Sequence, residues 1–224
     1  MSPPELDHFK VYEVGRVQVD FRVRLTGQLD ADPKEADLGA LSHFANPTQK
    51  DHAGTQVGVK DTNRHLNWYT LSQQQPEPRR TIRYLNQFGQ HSVDIRDPKF
   101  LPVPAQKTSD EGSVFPESLD HYKCYAVIQV NTAPLPVVTL SDQFGSEQNV
   151  QVGEPRFFCV PVMKEREREI VDADTHLAVY GIPPQAHELE IKSRDQFGER
   201  ALMVTRSVLL AVPTEKQAVA THDN

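Results

Sequence analysis

Long apolar runs are missing from this chain. No stretch approaches the roughly 18 residues that a membrane-crossing helix needs. An excess of positive charge is missing as well. The 24 Lys and Arg are outnumbered by 31 Asp and Glu, leaving a formal net charge of −7. That balance excludes the basic footprint of duplex nucleic-acid binding. Cysteine is scarce: the two residues, Cys124 and Cys159, lack the close ligand spacing of zinc motifs. The start, Met1-Ser2-Pro3-Pro4-Glu5, has no signal-peptide pattern. There is no P-loop, G-x-G-x-x-G, H-E-x-x-H, G-x-S-x-G or C-x-x-C. An apolar stripe is lacking even from the one helix-like run, Lys164 to Glu169, which reads as a solvated connector.

What is present is a globular composition, 38% hydrophobic and 25% charged. Seventeen prolines and eleven glycines along 224 residues argue for many short strands.

A repeat organises the chain. Four segments open with His and, four positions later, Tyr: His8/Tyr12, His65/Tyr69, His121/Tyr125 and His176/Tyr180. The histidines are 57, 56 and 55 residues apart. A turn follows: Asn86-Gln87-Phe88-Gly89, Asp142-Gln143-Phe144-Gly145 and Asp195-Gln196-Phe197-Gly198, with a degenerate Gly27-Gln28-Leu29-Asp30 in the first copy. A proline three positions before a lysine closes each copy: Pro47/Lys50, Pro104/Lys107, Pro161/Lys164 and Pro213/Lys216. Copies one and three open alike, Leu6-Asp7-His8 and Leu119-Asp120-His121, which points to a two-copy unit duplicated once.

Each copy reads as strands. Tyr122, Cys124, Ala126 and Ile128 alternate with Lys123, Tyr125, Val127 and Gln129, a period of two. Asp142 can bond the backbone two residues on, and Gly145 accepts the positive φ that closes a hairpin; Gly89 and Gly198 are assigned the same role. Pro161 limits its strand to an edge or an end. The expected fold is therefore all-β with four internal repeats of about 55 residues. Two tandem barrels or sandwiches, over 1–110 and 115–216, are expected, with a four-bladed propeller as the alternative. Residues 217–224 read as a disordered tail.

Both cysteines fall in copy three, in its first and last strands, where no other copy carries one. Joint presence suggests that the two sites touch, either as a disulfide or as two buried thiols. The strings His121-Tyr122-Lys123-Cys124-Tyr125, Asp142-Gln143-Phe144-Gly145 and Pro155-Arg156-Phe157-Phe158-Cys159-Val160-Pro161-Val162-Met163-Lys164 carry a further signal. They resemble a bacterial tandem β-repeat domain of unknown function that reads H-[FY]-K-C-Y, D-Q-F-G and P-x-x-[LF]-C-x-P-x-x-K. The resemblance implies a β-rich module, a Cys124–Cys159 bridge and an extracellular or cell-surface setting. It brings no catalytic residues.

Candidates for chemistry are sparse. His8, His65, His121 and His176 could converge on a metal in a closed ring, but a role at strand starts is the simpler reading. Asp30-Ala31-Asp32 and Asp172-Ala173-Asp174 are fragments of calcium-loop pattern without the later Gly and Glu. Ser141, Ser193 and Thr139 sit near turns with no His-Asp partner in sequence. Phe88, Phe144 and Phe197 are expected to fold back over their hairpins rather than face a partner. His43, Asp51 and His52 form a polar cluster in a connector that could contact a partner. No cofactor, metal or catalytic residue is assigned. The expected function is a non-catalytic structural or adhesive binding module that contacts another protein or a glycan through loops, with oligomerisation open. The alternative is an enzyme, such as a hydrolase, with its site between the halves.

Overall fold

The computed structural model describes residues 6–73, 76–131, 135–164 and 169–222. The Lys164–Glu169 connector lies largely outside them. Segment one supplies β1 (His8–Gly27) and β2 (Lys34–His52), followed by the short β3 (Thr55–Val57). Segment two supplies β4 (His65–Gln73), β5 (Arg80–Asn86) and β6 (Gly89–Lys107). Segment three supplies β7 (His121–Asn131), β8 (Val137–Asp142), β9 (Gly145–Gln151) and β10 (Pro155–Lys164), and segment four β11 (Thr175–Asp195) and β12 (Gly198–Thr221). The protein is all-β, with no helix among the described residues.

The strands join in one antiparallel sheet that closes on itself. The circuit runs β1–β2–β4–β6–β7–β10–β11–β12 and back to β1. In every segment the His-led strand pairs with the strand that carries the closing lysine, as in His65 opposite Ala105 and His121 opposite Val162. The His-led strand also pairs with the lysine-bearing strand of the preceding segment: Leu66 with Ala45, Cys124 with Phe100, Leu177 with Cys159 and Phe9 with Ala211. Closure leaves few unpaired strand edges, the main hazard of an all-β chain.

This connectivity corrects two expectations. The segments do not pair off into separate barrels over 1–110 and 115–216, because β1–β10, β1–β12, β2–β8, β5–β12 and β6–β11 all cross the midpoint. Nor do they form separate propeller blades, since adjacent segments share ladder hydrogen bonds. Periodicity fixes which residues face inward; it carries no information on which edge meets which. The expected disordered tail is likewise replaced over 217–221 by strand, with Ala218 to Thr221 laid against Arg83 to Arg80.

Period-two alternation divides the core into two clusters. Phe9, Val11, Ala45, Leu66, Trp68, Tyr122, Cys124, Cys159, Leu177, Val179 and Ala211 form the smaller, contributed by the circuit strands and enclosed by them. The intervening residues face outward, where Tyr12, Tyr69, Tyr125 and Tyr180 join the larger cluster with hairpin residues such as Leu25, Ile82, Val138 and Leu202. Each segment's hairpin thus covers the outer wall of the circuit. The proline landmarks mark where a lysine-bearing strand changes partners. Pro47 lies two residues past Ala45, the last residue paired with β4, and from Gln49 onward the strand meets β8 of the opposite segment. A residue without an N–H suits such a crossing.

Candidate functional site

The turns are where the landmarks converge. Asn86 Oδ1, Asp142 Oδ1 and Asp195 Oδ1 accept from the backbone N–H of Phe88, Phe144 and Phe197, at 2.9, 2.9 and 2.7 Å. Gly89, Gly145 and Gly198 follow at φ 106, 131 and 115°, the region that favours glycine. The turn then meets two other segments. From the opposite segment, Tyr12 donates to Asp142 (2.7 Å) and Tyr69 to Asp195 (2.6 Å), while Asn86 Nδ2 donates to Tyr180 (2.8 Å). Burial, then the adjacent carboxylates, push the Tyr12 and Tyr69 hydroxyls well above their ordinary value, so they stay protonated donors. From the preceding segment comes the closing lysine: Lys50 lies 4.9 Å from the Phe88 ring centre, Lys107 5.0 Å from Phe144 and Lys164 4.8 Å from Phe197. His8 and His176 reach the turn glutamines, Gln87 at 2.8 Å and Gln28 at 3.2 Å.

The recurrent phenylalanines therefore neither cover only their own hairpins nor stand free. Each packs edge-on against the tyrosine of the opposite segment, at 5.3, 5.1 and 5.2 Å. His8, His65 and His176 are buried beside lysines, which lowers their pKa to about 3, 3 and 4. They are neutral wall residues; His65 stacks on Phe44 and His176 on Phe158. No group of three or more metal-ligating side chains occurs among the described residues.

The position two beyond each histidine answers the turn that it faces, with a lysine at the first and third turns and an amide at the fourth, where Arg200 lies 3.9 Å from Asp195. Lys10 lies 3.5 Å from Asp142 and 3.2 Å from Glu147, and Lys123 lies 2.9 Å from Asp30 and 3.3 Å from Glu77, all of them buried. Asn67 donates to Asp195 at 2.8 Å. The fourth position, Ala178, corresponds to the turn that opens with the neutral Asn86. Such charges are costly to bury unless paired.

Cys124 and Cys159 are directly opposed on β7 and β10 and form the disulfide. Closing a loop of 35 residues contributes ~4 kcal/mol in the chain-entropy account. His43 does not lie in a connector: it sits within β2 between Glu13 and Trp68, and burial lowers its pKa to about 4. Asp51 and His52 end β2 in the hairpin to β3, nine residues on, so the structure does not bring the three together. Ser193 donates to Asn67, Ser141 contacts Ser146, and Thr139 pairs opposite Asp51. Asp30 is held by Lys123, and Asp172 accepts from the N–H of Asp174 and Thr175.

Sequence reading missed the mouth of the circuit. The four His-led strands alternate with the others in an antiparallel circuit, so all four begin at one end. There a cavity of 350 Å³ is lined by Leu6, Arg64, Ser118, Asp120, Tyr122, Val171 and Asp172, from all four segments. Asp120 accepts from the N–H of Val171 and Asp172 at 2.8 and 2.9 Å. Its counterpart Asp7 accepts from Lys60 and Asp61 at 2.6 and 3.3 Å. Arg64 is 3.5 Å from Asp7 and donates to Ser118 at 3.3 Å. The available signal was substitution against the repeat: Tyr122 stands where the other segments carry Phe9, Leu66 and Leu177, and Arg64 where they carry Asp7, Asp120 and Thr175.

A closed, disulfide-linked all-β assembly with recurring junctions defines a tandem-repeat protein. Consistent with that, residues 65–213 match the DUF7450 family, described as a repeat of unknown function, and the chain belongs to it. No curated protein and no solved structure matches the chain.

Proposed function

We propose that this protein is a non-catalytic structural or adhesive binding module, a stiff β scaffold that holds loops against another protein or a glycan. The observation that carries the reading is the use made of the recurrent polar residues. At the second, third and fourth turns the recurrent Tyr and Lys side chains, from two other segments, bond or pack against the turn's Asn86, Asp142 or Asp195 and its phenylalanine. Such bonding serves rigidity, and rigid β scaffolds position variable loops well. The enzyme alternative has one specific observation in its favour, the non-repeating Tyr122 and Arg64 at the mouth, since catalytic groups have to depart from repeat symmetry. The test is to offer the full chain an array of glycans and a panel of chromogenic esters and glycosides. Saturable binding without product release is expected. Turnover by the wild-type chain that disappears on mutating the mouth would overturn the reading.

A further inference from the structure

Tyr122 combines two properties that no counterpart shares. It belongs to the enclosed cluster and is 1% exposed, yet it lines the mouth cavity. No hydrogen bond to its hydroxyl is seen among the described residues, in contrast to the hydroxyls of Tyr12, Tyr69 and Tyr180. Unlike the Tyr125 hydroxyl, which is sealed in and unbonded, the Tyr122 hydroxyl opens on the cavity, where a ligand can take its hydrogen bond. Burial and then the nearby Asp120 and Asp172 carboxylates hold it well above its ordinary value, so it remains a neutral donor.

We infer that the mouth cavity is a binding site for a neutral pyranose, taken either as a free sugar or as a terminal unit of a glycan. The inference rests on the binding-module reading above and names its ligand class. The lining supplies hydroxyls that both donate and accept (Ser118, Tyr122), fixed acceptors (Asp120, Asp172) and a donor (Arg64), beside the aliphatic Leu6 and Val171. Sugar hydroxyls need that mixture, and the C–H faces of the ring suit the aliphatic walls. The volume, 350 Å³, falls in the range of small-ligand pockets, ~300–1,000 Å³.

Charge selects against an anion: Arg64 is engaged by Asp7, and Asp120 and Asp172 add negative charge, so an anion meets a guanidinium already matched. Backbone N–H groups fix the two carboxylates without cancelling their charge, Asp120 through both oxygens and Asp172 through Oδ1 twice. That leaves them as directed acceptors for sugar hydroxyls, and a cationic sugar is the competing outcome that the glucosaminide arm below reads.

Saturation-transfer NMR on the full chain tests this with methyl glucoside, methyl galactoside and methyl mannoside, and with methyl glucosaminide and glucuronate as charged arms. At least one neutral glycoside is expected to saturate below ~50 mM. Tyr122→Phe, which restores the ring carried by Phe9 in segment one, should keep the fold and weaken binding ~5- to 10-fold. Ser118→Ala gives a second, surface-side variant expected to weaken binding in the same direction. Absence of saturation by every neutral glycoside, binding of the charged sugars alone, or binding indifferent to Tyr122→Phe would overturn the site. Glycan-array or protein binding that survives Tyr122→Phe would overturn this site and leave the binding-module reading standing. Turnover of the glycosides would instead overturn that reading.

Discussion

The first turn and the third face matched surroundings with different residues. In the third, Asp142 opens the turn, caps Phe144, accepts from Tyr12 and lies 3.5 Å from the Lys10 ammonium. In the first, the opening residue is Gly27 and the acid has moved to the end, as Asp30. It bonds back to the Gly27 N–H at 3.1 Å and takes Lys123 at 2.9 Å, while Leu29 fills the place of the phenylalanine. Tyr125 is left with an unpartnered buried hydroxyl. The strand opposite has changed too: Val162 faces Gly27, where Thr48 stands next to the third turn. A Cβ on Gly27 would come within 2.8 Å of Val162 Cγ1. What the turns hold in common is therefore the lysine–carboxylate contact; the residue position that supplies the carboxylate can move.

The largest expected effect is acid destabilisation of the shared scheme. The folded-state values of His8, His65 and His176 lie near 3, 3 and 4, below the ordinary 6.5. In acid the unfolded chain takes up protons that the folded one refuses. Stability should be complete above pH 6.5 and fall continuously toward pH 3 to 4. A melting temperature that stays flat from pH 7 to 4 would refute neutral, buried histidines, and His65→Asn should flatten the slope.

Next in size is Lys123→Ala, which strips the countercharge from buried Asp30 and Glu77 and should cost ~3–5 kcal/mol by denaturant melt. Lys10→Ala should match it, because Asp142 and Glu147 are left in the same state. Unequal losses, with Lys123 nearly silent, would show that the first turn is not an equivalent junction. Asn86→Asp places an acid opposite Ala178, which has no cation to offer, and should cost ~1–3 kcal/mol. A variant as stable as the parent would break the link between turn charge and the residue two beyond histidine.

Smaller still are the glycines. Gly145→Ala meets open space and should lose ~1 kcal/mol from positive φ alone. Gly145→Asn should recover much of that, since Asn tolerates the left-handed region. Gly27→Ala fails for a steric reason instead, so Gly27→Asn should give no recovery. Equal behaviour at the two sites would erase the distinction.

Strands, turns, the positive-φ glycines and the cysteine pair were legible in the sequence because each is a local consequence of period, turn chemistry or joint occurrence. The closed circuit was not. Leu66 pairs with Ala45 and Phe9 with Ala211 through backbone groups that every residue carries, so nothing in the side chains advertises the partner. The Phe88, Phe144 and Phe197 contacts were missed for the same reason: their tyrosines come from the opposite segment, far off in sequence. His43 was misplaced because polarity suggested a connector, while its neighbours Trp68 and Phe100 arrive from other strands. At the mouth, the signal was the departure of Tyr122 and Arg64 from their counterparts, which becomes visible only once the four strand starts are known to share one end.

The central claim is that the tyrosines hold opposite segments together through the residue that opens the turn, Asn86, Asp142 or Asp195, and that this bond is missing at the first turn. Tyr12→Phe and Tyr125→Phe, compared in the same chemical denaturation experiment, test it most directly. Loss of the hydroxyl that bonds Asp142 should cost ~1.5–3 kcal/mol. Loss of the unpartnered Tyr125 hydroxyl should change stability by no more than ~0.5 kcal/mol, or raise it. Equal losses for the two variants, or a larger loss for Tyr125→Phe, would contradict the account.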